Sequence, residues 1–266
     1  MSLTIPSPIP LEHFKRFILS MADDELVLGH RDSEWTGHAP ILEEDIAFSN
    51  IAQDEIGHAL VWYTMYEELG GPSPDEMGFL REWNDFLCCH FVTYPRGDFA
   101  YTVVRQYLYD VAEQVRLRAL LSSSVEALRS VAEKLIREES YHLLHSQSLV
   151  ERLGDATPES HDRMQRAVTE AFPQALGIFE ELEGESSLIE SGVFVGNTAL
   201  KSDWLKEVVP VLRKASLHVP VQLDAENVRV LAAADEGGRR GRHLEHLKQL
   251  VEDMQQVYRL APQSQW

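Results

Sequence analysis

The chain has 266 residues, 44% of them hydrophobic and 25% charged, which is a globular composition and not a disordered one. Its 24 basic and 43 acidic side chains leave a formal charge of −19, which argues against nucleic acid and anionic membranes as partners, since both call for basic patches. No apolar run approaches the roughly 18 residues needed to span a bilayer, the N-terminus lacks a basic and apolar leader, and the only cysteines, Cys88 and Cys89, are adjacent and offer no disulfide framework. A cytoplasmic location is expected. The charge is uneven: residues 1–200 hold 14 basic and 34 acidic side chains, and residues 201–266 hold 10 and 9.

Apolar residues recur at helical spacing and strand-like alternation is nearly absent, so the expectation is all-α with about seven helices. The first follows Pro10 and runs to about Arg31, with Phe14, Ile18, Met21, Glu25 and Leu28 on one face. SEWTGHAP interrupts, and a second helix spans about 41–69, with Glu43, Glu44 and Asp45 in its first turn, where the helix dipole favours anions. Gly70, Gly71 and Pro72 end it. Residues 73–97 read as loop with one short helix at most. A third helix spans about 98–121 with Asp98 as N-cap, and a fourth about 125–153, stopping at Gly154. Two short links and one longer crossover suit a ferritin-like four-helix bundle. A helix over about 158–183 should kink at Pro173. Residues 184–197 read as loop, and helices near 199–216 and 240–260 close the chain around GGRRGR. The whole reads as one domain over 1–266, with a bundle core over about 10–153 and accessory helices over about 158–266.

The second and fourth helices each carry a Glu-x-x-His unit preceded by an acid: Asp54-Glu55-Ile56-Gly57-His58 and Glu138-Glu139-Ser140-Tyr141-His142. Residues three apart share a helix face, so the carboxylate and the imidazole of each unit can point at one ion. Both units lie on apolar stripes, Phe48, Ile51, Ala52 and Trp62 on one helix and Leu128, Ala132, Leu135 and Leu149 on the other. Burying carboxylates there costs several kcal/mol each unless cations offset the charge. The first and third helices add Glu25, 30 residues before Glu55, and Asp110, 29 before Glu139, as in two matching hairpins. Glu25, Glu55, His58, Asp110, Glu139 and His142 together form the ligand pattern of ferritin-like di-iron or di-manganese carboxylate proteins. Asp54 and Glu138 are placed to receive the outer N–H of ligating histidines. Alternatives stay open: Asp24 beside Glu25, Glu113 one turn after Asp110, and Glu138 in place of Glu139. His243-x-x-His246 reads as an exposed helix face, and Tyr101, Tyr107, Tyr109 and Tyr141 as packing. No P-loop or dinucleotide fingerprint is present, so no nucleotide cofactor is expected.

On these motifs the chain resembles the ferritin-like subunits of bacterial phenylacetyl-CoA epoxidases, and among them the C-type subunit. LVLGHRDSEWTGHAP (26–40) with its GHAP element, NIAQDEIGHA (50–59), REESYHLLHS (137–146) and the tail from His243 with its Gln-Trp ending carry the resemblance over most of the chain. It implies a multisubunit oxidoreductase in aerobic phenylacetate catabolism. A homologous A-type subunit holds the catalytic di-iron centre, a reductase supplies electrons from NADPH, and the C-type chain is a structural partner. Self-association is a further option. All six ligand residues here match the pattern of the catalytic subunit, which departs from a purely structural role. A CoA thioester wants Lys or Arg around its phosphates, whereas residues 41–70 hold seven acids and no base. Three readings follow: a partner subunit that retains a di-metal site, a catalytic di-iron oxygenase in its own right, and a metal-free scaffold.

Overall fold

A computed structural model describes residues 9–224, 227–261 and 264. The N-terminal residues 1–8 and the Gln265-Trp266 ending that contributes to the resemblance lie outside the described residues. The fold is all-α, as the apolar periodicity implies, with ten α-helices among the described residues and one two-stranded hairpin. The chain divides into two compact units, one built from Pro10–Pro95 with the segment from Gly237 onward, the other from Arg96–Glu236.

The first unit is centred on α1 (Leu11–Ser33) and α2 (Leu42–Glu68), the first pair of long helices expected from a ferritin-like bundle. From Phe14 to Asp32 nearly every residue of α1 is buried. The turn into α2 is tied down by the Asp45 carboxylate, which accepts from Gly37 N at 2.7 Å. Short helices α3 (Pro74–Phe79) and α4 (His90–Thr93) interrupt the crossover that reads from sequence as mostly loop. α3 begins with a capping box between Ser73 and Glu76. The C-terminal segment returns onto this crossover: α10 (Glu245–Leu260) packs on α3 and α4. His90 Nε2 lies 2.6 Å from Arg242 O, and His243 Nε2 lies 2.6 Å from Phe86 O. His243 is therefore a half-buried staple just ahead of α10 and not part of an exposed helix face.

Two buried acids of α1 anchor these segments. Asp23 receives Arg81, the Tyr63 hydroxyl at 2.5 Å and Leu87 N at 2.6 Å. Asp24 receives Arg239 Nη2 at 2.5 Å, Arg239 Nη1 at 2.9 Å and Cys89 N at 2.8 Å. Arg239, from the GGRRGR stretch, is itself buried and also donates to Ser20 O and Leu87 O. Burial pushes the Cys88 thiol well above its ordinary range, with Asp23 and Asp24 adding to the effect, so Cys88 is an inert packing residue.

The second unit wraps α5 (Phe99–Leu120) with α6 (Glu126–Asp155), α7 (Pro158–Ala175) and α9 (Asn197–Lys214). Asp98 caps α5 through Tyr101 N at 2.9 Å, as expected. The Trp204 indole donates to Leu108 O at 2.9 Å and packs against Phe172 and Phe179. α6 does not stop at Gly154 but runs one residue past it. The glycine serves close packing instead: a Cβ there would lie 2.7 Å from Ala215 O. Past Pro173 the helix ends at Ala175 and tightens into a 3₁₀ turn over Leu176–Phe179, short of the expected end near 183. The expected loop at 184–197 contains a short helix, α8 (Glu185–Glu190). Its buried Glu185 accepts from Leu182 N at 3.1 Å and from Asn197 N and Nδ2 at 2.7 Å each, which closes the segment on itself. Strands β1 (Val221–Asp224) and β2 (Asn227–Val230) pair antiparallel with Val221 opposite Val230, a feature too short to show in the periodicity.

The anchoring of α1 can be tested directly. Arg239→Ala strands the buried Asp24 carboxylate and should lower unfolding stability by about 3–5 kcal/mol in urea melts. The double variant Asp24→Asn/Arg239→Met should recover much of that loss, because no isolated charge is left in the core. A pH dependence comes from His30, whose pKa burial lowers from 6.5 to about 4, with Glu34 opposing and Arg31 assisting. The unfolded chain then binds the proton first, so the stabilisation is complete above 6.5 and is lost as pH falls toward 4. The contribution is at most about 3 kcal/mol. His30→Gln should flatten the pH dependence of stability across that window relative to the parent.

Candidate metal centre

Seven buried acids on and beside the expected ligand positions sort into two sets. Asp23, Asp24 and Glu113 are each engaged by an arginine: Arg81, Arg239 and, at 2.8 Å, Arg116. Glu25, Glu55, Asp110 and Glu139, all fully buried, lie in clusters of carboxylates and histidines. This separates Glu25 from its neighbour Asp24, and Asp110 from its alternative Glu113.

In the first unit, ligand atoms of Glu25 on α1 and of Glu55 and His58 on α2 lie within 4.8 Å of one another. His58 Nδ1 is 4.0 Å from Glu55 Oε2, the i, i+3 spacing that the Glu-x-x-His unit sets up. The approach of the two helices depends on Gly29, one turn after Glu25. A Cβ there would lie 2.9 Å from Ile56 Cγ1, 3.0 Å from Ala52 O and 3.1 Å from Glu55 Cβ. The absent side chain at Gly29 is what lets α2 bring Glu55 to Glu25.

In the second unit, ligand atoms of Asp110 on α5 and of Glu139 and His142 on α6 also lie within 4.8 Å of one another. His142 Nδ1 is 3.2 Å from Glu139 Oε1. Asp110 is held from both sides: Gln106 Nε2 donates to Oδ1 at 2.7 Å and Ser146 Oγ donates to Oδ2 at 2.5 Å. Neither supporting residue stands out in the sequence, although both occupy i±4 positions, Gln106 before Asp110 and Ser146 after His142. Of the acids assigned to a supporting layer, Asp54 is exposed on α2 and Glu138 is half-buried on α6.

The donor set fits a divalent transition metal. Carboxylate oxygens and imidazole nitrogens suit iron and manganese alike. Two ligands each about 2.1 Å from one ion stand at most about 4.2 Å apart, so each triad needs only a small contraction to close on an ion. Like charges this close and this deep are tolerated only with a cation or a proton between them. Among the tyrosines, Tyr101, Tyr107 and Tyr109 are buried and Tyr141 is exposed. Burial holds the Tyr107 phenol well above its usual range, with Glu207, Glu151 and Asp110 adding to the shift, so it stays protonated. Among the described residues no helix is long and apolar enough to cross a membrane.

The model of the family described as phenylacetic acid catabolic protein matches residues 9–266, and the chain belongs to that family. It is 34% identical over 251 residues to the C-type subunit of the 1,2-phenylacetyl-CoA epoxidase of Escherichia coli (strain K12), covering 94% of this chain and 98% of that protein.

Gly29 provides the local test. Gly29→Val should force α2 away from α1, lower stability by about 1–3 kcal/mol as overpacking does, and weaken divalent-metal binding by the first triad in titration calorimetry.

Proposed function

We propose that this member of the family is a subunit of a multicomponent phenylacetyl-CoA epoxidase, paired with a homologous catalytic di-iron subunit and itself holding a di-metal carboxylate centre. Glu25, Glu55 and His58 form one half of the ligand set, and Asp110, Glu139 and His142 form the other. The observation that carries the reading is the gathering of buried carboxylates and histidines. Asp23, Asp24 and Glu113 serve the fold through arginines, and the four carboxylates of the ligand set cluster with two histidines at spacings a metal ion could use. Iron or manganese bound there would supply dioxygen and redox chemistry. The chain's own residues supply six donors on rigid helices, and Gly29, Gln106 and Ser146 support their placement.

The partner role draws on α2. Its seven acids, without a base, make poor surroundings for the phosphates of CoA. The same helix leaves Leu42, Ile46 and Leu60 exposed, apolar surface of the kind that another polypeptide would cover. A second reading, catalysis by this chain itself, is favoured by one observation, the completeness of the ligand set.

Metal analysis of protein from iron-supplemented cells should find about two ions per chain. Fewer than about 0.2 would remove the di-metal centre from the reading. Glu55→Ala should lower the content, and unchanged occupancy would exclude Glu55 as a ligand. Phenylacetyl-CoA-dependent oxygen consumption should require the catalytic homologue and a reductase. Turnover by this chain with the reductase alone would replace the partner role with the catalytic one.

A further inference from the structure

The two hairpins repeat the same acid and Glu-x-x-His pattern, but they differ at two matching positions. Four residues before the acid stand Met21 on α1 and Gln106 on α5. Four residues after the histidine stand Trp62 on α2 and Ser146 on α6. All four are buried, with Met21 and Gln106 at 2% and 0% exposure and Trp62 and Ser146 at 0% and 1%. In the first hairpin both positions hold large hydrophobic side chains and the acid is a glutamate. In the second both hold small or medium polar donors, the acid is an aspartate, and the two donors converge on opposite oxygens of that aspartate, at 2.7 Å and 2.5 Å.

These differences belong together. Aspartate is shorter than glutamate by one methylene, roughly 1.5 Å of reach, and it cannot adjust to an ion by rotating an extra bond. A donor on each oxygen fixes the plane of the carboxylate. Each carboxylate oxygen has two lone pairs, so it can accept from its donor and face an ion at the same time. Ser146 also has a fallback acceptor in its own helix, Leu143 O at 3.4 Å, so the hydroxyl is not tied to Asp110 by lack of alternatives.

We infer that Gln106 and Ser146 are positioning residues that hold Asp110 in its ion-binding orientation, so that the half-site of Asp110, Glu139 and His142 depends on a hydrogen-bonded clamp. This rests on the reading of the two triads as metal half-sites. Outer-shell partners of metal ligands typically set affinity by 10–100-fold.

The test is titration of metal-free full-length protein with Mn(II), followed by calorimetry and by the EPR signal of free Mn(II). The parent should bind two ions. Ser146→Ala and Gln106→Met should each keep one ion at parental affinity and weaken the other by about 10–100-fold. Ser146→Thr, which keeps the hydroxyl, should restore it. Two ions at parental affinity in Ser146→Ala, or equal weakening of both, would overturn the clamp and leave the di-metal reading standing. A parent that binds no Mn(II) or Fe(II) would overturn both. Circular dichroism confirms that the variants are helical, and if Gln106→Met does not fold, Ser146→Ala decides the matter, since it removes one oxygen atom and adds no volume.

Discussion

Everything in this structure turns on how negative charge is kept inside a helical core. Four carboxylates sit on stripes that should be apolar, and Asp23, Asp24 and Glu113 are buried on the same helices. A buried charge left without an opposite charge costs several kcal/mol, so each must be matched. The chain uses two means. Arginine engages Asp23, Asp24 and Glu113, and Glu25, Glu55, Asp110 and Glu139 gather with His58 and His142 in clusters that could hold an ion.

The run Asp23-Asp24-Glu25 shows both means within three residues. Successive helical positions are about 100° apart, so three consecutive acids point in three directions. Asp23 faces Arg81 and the crossover that follows α2. Asp24 faces Arg239 on the returning C-terminal segment. Glu25 faces α2 and its Glu-x-x-His unit. The first two contacts clamp α1 away from its Glu25 face, and a helix so clamped presents Glu25 without freedom to rotate. The structural ion pairs and the cluster of Glu25, Glu55 and His58 are thus parts of one arrangement, and the C-terminal segment bears on the cluster without adding a residue to it.

Much of this was legible in the sequence. Pro40 and the Gly70-Gly71-Pro72 stop mark α2 to within one residue at each end, and the doubled Glu-x-x-His unit marks two of the helices whose carboxylates and histidines cluster. What escaped were features that depend on a distant segment. No local pattern signals that Arg239 reaches Asp24, 215 residues away. Gly154 reads locally as a helix stop, and only the approach of Ala215 explains it otherwise. Glu185 closes a segment that looks like loop because its carboxylate meets donors at Leu182 and Asn197. Gln106 and Ser146 were hidden for a different reason: polar residues four positions from a charged one are common on helices, and only a register comparison of the two hairpins sets them apart.

That register comparison also bears on the choice between partner and catalyst. A scaffold that had merely kept old ligands would be under no constraint to keep their supports. Here the half-site with the shorter acid also has an amide and a hydroxyl aimed at it, both buried and both within 2.7 Å. Buried polar groups are costly unless fully satisfied, so such a clamp is poorly explained by packing, which a Met and a Trp provide at the matching positions of the first hairpin. The clamp fits the ion-holding role proposed for Asp110. Outside the site, the base-free acidic α2 argues with equal physical force against a CoA pocket along that helix. If the clustered acids and histidines hold metal as proposed, a chain that also surrounds them with a base-free acidic helix fits a subunit that keeps a metal centre inside a larger enzyme and leaves the thioester to another chain.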